Sequence, residues 1–285
     1  MTAHGSNAGH QATDVRDLLA VAKSAAAAGA AVLSRRSAGG TGGEELGVSN
    51  KGDAGDWVTE FDVAAENAVR EAITAARPRD FITGEEHGTT RPSEPSGYRW
   101  SIDPLDGTTN FIRNIAYYAT SVAVADSDGV WLAGVVHAPA LGRVYSAAKG
   151  HGAWLDVAGQ STRLTGPVPG RTGLILATGF SYDPATRGSQ VAGLASLMEG
   201  FADVRRLGSA ALDLCLVADG TFDAFGERGL NEHDFAAGAL VAEEAGCWVR
   251  RPKLDSPLDG GPRAEDRLAA WTCAATLELS GRFPV

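Results

Sequence analysis

Between Asp80 and Val157 the chain carries six short strand-like runs: Asp80–Thr83, Arg99–Ile102, Thr120–Ala125, Val130–His137, Val144–Ala148 and Ala153–Val157. Turn signals separate the later ones, at Asp126-Ser-Asp-Gly129, Pro139 to Gly142 and Lys149-Gly150. Closely spaced strands with short turns predict an antiparallel sheet. Two helices are predicted ahead of it. The first spans Asp14 to Arg36, with Val15, Leu18, Leu19, Ala22 and Ala26 at helical spacing. The second starts near Thr59 and lines up Phe61, Ala64, Ala65, Ala68, Val69, Ala72, Ile73 and Ala76 on one face. The Gly-rich stretch Ser37 to Gly55 between them is expected to be a mobile loop. Pro167-Val-Pro-Gly170 reads as a boundary. Beyond it strands and helices alternate, which predicts a second, α/β layer. The expected organisation is a disordered tail over 1–13, an N-terminal α+β domain over 14–166 and a C-terminal α/β domain over 167–285.

The 285 residues are 44% hydrophobic, enough for a large buried core. The net charge of −10 argues against sequence-independent nucleic-acid binding, which needs Lys and Arg on phosphates, and repels anionic membranes. An acidic site still accepts an anionic substrate when bound cations reverse the local field. Cys215, Cys247 and Cys273 are odd in number and widely spaced, which fits neither a disulfide framework nor a zinc site. A cytoplasmic protein is expected. The Ala-rich run Val21 to Leu33 is flanked by charges and reads as an amphipathic helix, not as a leader or a membrane span.

The chemistry is concentrated in Trp100-Ser-Ile-Asp103-Pro-Leu-Asp106-Gly-Thr-Thr-Asn110. An apolar strand delivers Asp103, and Pro104 is expected to turn the chain. A continuing strand would send Asp103 and Asp106 to opposite faces; a turn lets them converge and aims the Leu105 carbonyl inward. Gly107 permits close backbone approach, and Thr108 opens a short helix whose free N–H groups suit phosphate oxygens. Two further acidic elements have no apolar role: Gly84-Glu85-Glu86 after a strand, and His233-Asp234 before the apolar helix Phe235–Ala245. A helix N-cap is the plain structural reading of Asp234.

These elements, in this order and spacing, resemble the inositol monophosphatase family, within the lithium-sensitive, metal-dependent phosphatases. So do Asp56-Trp-Val-Thr-Glu-Phe-Asp62, Arg206-Leu-Gly-Ser-Ala-Ala-Leu-Asp-Leu-Cys215, and Glu227 placed seven residues before Asp234. The resemblance implies an α+β fold, a layered α-β-α-β-α sandwich with an antiparallel sheet half and a mixed α/β half. It implies two to three Mg2+ ions per site. Glu85, Asp103 and the Leu105 carbonyl would hold the first, and Asp103, Asp106 and Asp234 the second. A third would lean on Glu85 and waters. Asp62 and Thr108 would orient the attacking water, while the Gly107 and Thr108 amides hold the phosphate. Asp106, Gly208, Ser209, Ala210 and Glu227 would face the alcohol, and Lys51 would reach in from the loop. His233 stands where the family commonly has Trp and is expected to pack or bond behind the ligands. A homodimer is the family's usual state.

Energetics agree with a metal site. Enzymatic phosphate-monoester hydrolysis can gain ~10²¹ over the uncatalysed reaction, roughly 28 kcal/mol. A positioned general base alone contributes about 10²–10⁴. Paired metals can supply the larger part. The expected activity is therefore magnesium-dependent hydrolysis of a small phosphate monoester, inositol monophosphate or a related polyol or sugar phosphate. The same scaffold would also suit histidinol phosphate, fructose 1,6-bisphosphate or 3′-phosphoadenosine compounds. A regulatory binding protein without catalysis is the alternative of a different class.

Overall fold

The computed structural model describes residues 14–36, 46–51, 57–252 and 270–283. The expected N-terminal tail and most of the Gly-rich segment fall outside those residues. Helix α1 (Val15–Leu33) starts where the Asp14 side chain accepts from the Arg16 amide, and it buries Leu18, Ala22, Ala25 and Ala26. Strand β1 (Ser49–Asn50), within the stretch the sequence predicted as loop, forms a short antiparallel ladder with β2 (Trp57–Val58). Helix α2 (Glu60–Ala76) starts at a capping box in which Thr59 and Asp62 satisfy each other's backbone N–H, and it buries Ala65, Val69 and Ile73.

The large sheet has eight strands in the order β10-β9-β8-β7-β6-β5-β3-β4. They are β3 (Phe81–Gly84), β4 (Gly88–Thr90), β5 (Arg99–Asp106), β6 (Ala119–Ala125), β7 (Trp131–Ala138), β8 (Arg143–Ala148), β9 (Ala153–Val157) and β10 (Gln160–Arg163). Every neighbouring pair is antiparallel except β3 with β5. Period-two alternation divides the strands between two cores. Trp100, Ile102, Val122, Val124 and Val135 pack with α1 and α2. Ala119, Ala123, Val136, Tyr145 and Ala147 face the other way.

That second face is covered by two helices, α5 (Ala210–Ala218) and α6 (Glu232–Glu244), which follow a short α3 (Thr108–Ile112) and α4 (Pro184–Leu197) in the chain. The fit is close because the contact residues are small. A Cβ on Gly134 of β7 would lie 3.0 Å from the Ala237 Cα, and one on Gly238 would lie 2.7 Å from the Ala211 carbonyl oxygen. Beyond α5 and α6 lies a five-stranded sheet ordered β12-β11-β13-β15-β14. Its strands are β11 (Ile175–Ala177), β12 (Asp203–Arg205), β13 (Ala224–Arg228), β14 (Trp248–Arg250) and β15 (Trp271–Ala275). Strand β11 runs parallel to both neighbours, while β15 is antiparallel to both of its own. Leu197 of α4 packs with Phe201 and Phe283 against Leu176, Ala224 and Cys273 of this sheet. The layers are thus α1/α2, sheet, α5/α6, sheet, α4: an α+β sandwich of the α-β-α-β-α kind.

Two local expectations need correction. The chain does not leave the sheet at Pro104: β5 continues to Asp106. Its register against β6 shifts instead, Asp103 pairing with Ser121 and Asp106 with Ala119. Three steps on β5 oppose two on β6, so a bulge re-aims Asp106 where a regular strand would carry it to the other face. The Thr120 hydroxyl donates to the Pro104 carbonyl at 3.0 Å and ties down the bulge. Nor is Asp234 the N-cap of its helix. Asn231 holds that position, and Asp234, three residues on, accepts from the Asn231 amide at 2.6 Å.

Candidate active site

Three elements deliver four acids to one cavity of about 500 Å³ between the two sheets. The turn after β3 brings Glu85, the bulged end of β5 brings Asp103 and Asp106, and the first turn of α6 brings Asp234. All four line the cavity with Leu105, Gly107, Thr108 and Lys51. Ligand atoms of Glu85, Asp103 and His233 lie within 4.8 Å of one another.

The acids disturb one another. Burial pushes the Asp103 carboxyl well above its ordinary range, and Glu85, Asp106 and Asp234 push it further. Asp106 is pushed up to about 7 by burial and then by Asp234, against hydrogen bonds that favour its ionised form. Those bonds come from the Ser209 hydroxyl and the Ala211 amide, both 2.7 Å from Asp106 Oδ2. Glu85 is the exception. Burial raises it, but His233 and Lys51 outweigh that and bring it below the usual range. Like charges packed this closely are relieved by a cation. The donors are mostly carboxylate and carbonyl oxygens, the set that hard divalent ions prefer. The residues therefore fit a magnesium-type site.

Asp62 and Thr108 form the pair the sequence pointed to. Asp62 Oδ2 accepts from the Thr59 amide at 2.8 Å and the Thr59 hydroxyl at 2.6 Å, which leaves Oδ1 for Thr108 Oγ1 at 3.1 Å. Thr108 Oγ1 is also 3.0 Å from the Leu105 carbonyl, so one hydroxyl proton faces two acceptors. Burial lifts Asp62 to about 6, with Glu85 and Glu86 adding to it against the Thr59 bonds. Thr108 lines the cavity; Asp62 lies behind it and is not among the lining residues. Gly107 has φ of 100°, and a Cβ there would stand 3.0 Å from the Tyr117 carbonyl oxygen. Both reasons demand glycine where the backbone borders the site.

A model of the inositol monophosphatase family matches residues 14–279. The chain belongs to that family. It is 41% identical to an inositol-1-monophosphatase of Mycobacterium leprae, over 95% of this chain and 97% of the relative. A Pseudomonas aeruginosa relative named "Nus factor SuhB" is 42% identical, over 70% of this chain and 74% of its own length. Among solved structures, the extragenic suppressor protein suhB of Bartonella henselae superposes with a TM-score of 0.78 at 31% identity, covering 92% of this chain and 95% of that one.

The cavity extends from the acids toward the wall that the sequence assigned to the alcohol by resemblance. Gly208, Ser209, Ala210 and Glu227 line it, as do Asp213, Arg206 and Arg228. Ser209 is buried and its hydroxyl is spent on Asp106, so it shapes the wall from behind. Glu227 is pushed up to about 8 by burial, then by Asp213 and Asp234. Its carboxyl lies flat on Gly179, where a Cβ would meet Oε2 at 2.1 Å. Lys51 Nζ bridges Glu85 at 2.8 Å and Glu86 at 2.6 Å. Burial pulls this ammonium down, but the two acids together hold it above its usual value.

Three residues gain more prominence here than the sequence suggested. His233, read as a supporting residue, stands within ligand distance of Glu85 and Asp103. Asp213 is buried at the cavity wall and accepts from the Tyr117 hydroxyl at 2.7 Å. Its lone acid on an apolar helix face was the available signal. Arg206 opens the segment that carried the family resemblance, yet only the folded cavity shows it facing the same space as Glu227.

Proposed function

We propose that the chain hydrolyses a small phosphate monoester, inositol monophosphate or a related polyol or sugar phosphate, with magnesium. The observation that carries this is the convergence of Glu85, Asp103, Asp106 and Asp234 on one buried cavity beside the Gly107–Thr108 backbone. Glu85, Asp103 and the Leu105 carbonyl would hold one ion, and Asp103, Asp106 and Asp234 a second. A third would rest on Glu85. Bound there, magnesium acidifies water and offsets charge on the phosphoryl oxygens.

The chain's own residues divide the remaining work. Thr108 Oγ1, donating to Asp62 Oδ1, presents its lone pairs to a water proton and fixes the direction of attack. Asp62 is the proton acceptor behind it. The Gly107 and Thr108 amides face the phosphate. Glu227, whose burial favours the neutral carboxyl, offers hydrogen bonds to a hydroxyl, which suits a polyol better than a second phosphate. Lys51 leaves its two acids as the substrate anion arrives. The proposal extends to a homodimer in the cytoplasm, in line with the family resemblance and three free, buried cysteines. No helix among the described residues is long and apolar enough to cross a membrane.

The test is phosphate release from a panel: inositol monophosphates, histidinol phosphate, fructose 1,6-bisphosphate and 3′-phosphoadenosine 5′-phosphate, with magnesium or with a chelator. Fastest turnover is expected on an inositol or sugar monophosphate, with none under chelation and inhibition by lithium. A regulatory binding role on the same fold is favoured by one observation, the name Nus factor borne by the Pseudomonas relative. No phosphate from any member of the panel would leave that role standing and remove the enzymatic one.

A further inference from the structure

We infer that Glu66 is a positioning residue for the metal site, acting through the turn that carries Glu85; this rests on the magnesium site proposed above. Glu66 lies on α2 one turn after Asp62, and its side chain is 0% exposed. A carboxylate so buried must have its lone pairs occupied. Glu66 Oε2 accepts from the Glu86 amide at 2.7 Å, and Oε1 from the His87 amide at 3.1 Å and Arg70 Nε at 2.7 Å. On the other side of Glu85, a Cβ on Gly84 would fall 2.3 Å from Glu66 Oε1. The carboxylate therefore fills the inside of the turn Gly84–His87, gripping it just before and just after Glu85.

Arg70 extends the grip. It donates to the Thr90 hydroxyl at 2.9 Å and to the Gly88 carbonyl, both on β4. One i, i+4 pair on α2 thus clamps the turn and the strand beyond it. The Glu85 side chain is left free to face Asp103 and Lys51. The same helix face also supplies Asp62 to Thr108. So α2 sets the separation between the proton acceptor and the first cation ligand.

Outer partners of metal ligands are typically worth about 10–100-fold in metal affinity. Glu66→Gln keeps the volume but turns an N–H₂ toward backbone N–H groups. Metal binding is read directly by calorimetry with calcium or manganese, alongside the magnesium dependence of phosphate release. Glu66→Gln is expected to weaken calorimetric binding and raise the half-saturating magnesium about tenfold or more. Turnover at saturating magnesium is expected to recover most of its wild-type value. A residue that only supports the fold would lower the melting temperature under chelation and leave metal affinity within twofold, and that result overturns the inference. Should Glu66→Gln fail to fold, Arg70→Met, which spares the carboxylate, is held to the same comparison with a smaller loss expected. A wild-type protein that binds no divalent metal at all would defeat the magnesium site itself, an outcome separable from the failure of Glu66.

Discussion

Asp62, the proposed proton acceptor, shows how burial raises an ordinary helix-capping acid toward neutral pH. It caps α2 with one oxygen and faces Thr108 with the other, and its carboxyl stands near 6. Asp62→Asn preserves a cap acceptor but would abolish the proposed proton acceptor. Turnover should fall by about 10²–10⁴ with little change in melting temperature; stopped or steady-state phosphate release and calorimetry measure both, and near-normal turnover would exclude Asp62 from proton transfer. Glu227 makes a separate prediction. Its folded pKa of about 8 lies above the ordinary 4.5. Its contribution to stability is therefore complete below pH 4.5 and is lost as pH rises through 8. In chelator, melting temperatures of wild type and Glu227→Gln followed from pH 6 to 9 should move apart in favour of the variant as pH rises. Parallel curves would mean that Glu227 is not held neutral.

At the scale of elements, the site depends on where α6 sits, since Asp234 rides on its first turn. Gly134, Ala237, Gly238 and Ala211 bring β7, α6 and α5 into near backbone contact. Gly238→Val should therefore destabilise the fold by about 1–3 kcal/mol or more through overpacking, measured by urea unfolding; an unchanged midpoint would show slack in that layer. Most elements were legible because apolar periodicity marks them. Strand β10 was not: all four residues, Gln160–Arg163, are polar and exposed, so nothing distinguishes an edge strand from a turn. Pro104 misled for a different reason. Proline does often end a strand, but here the sheet absorbs it as a bulge, and the partner strand that allows this is invisible locally. Asp234 was legible as a site acid through its family motif, but Asn231, three residues earlier, was the unrecognised cap.

For the molecule as a whole, the central claim is that separate chain segments, from Glu85 to Asp234, build one cation site in which Asp103 is shared. Local strings disclosed the acids, and the resemblance supplied their grouping; the inter-sheet cavity, with His233, Asp213 and Arg206 on its wall, needed the folded chain. The most direct test is a magnesium titration of phosphate release from inositol monophosphate by wild type and Asp103→Asn, with circular dichroism on both. Wild-type turnover should climb from zero with magnesium, while the folded variant stays inactive at every concentration. Turnover in excess chelator, or an Asp103→Asn protein that follows the wild-type curve, would contradict the account.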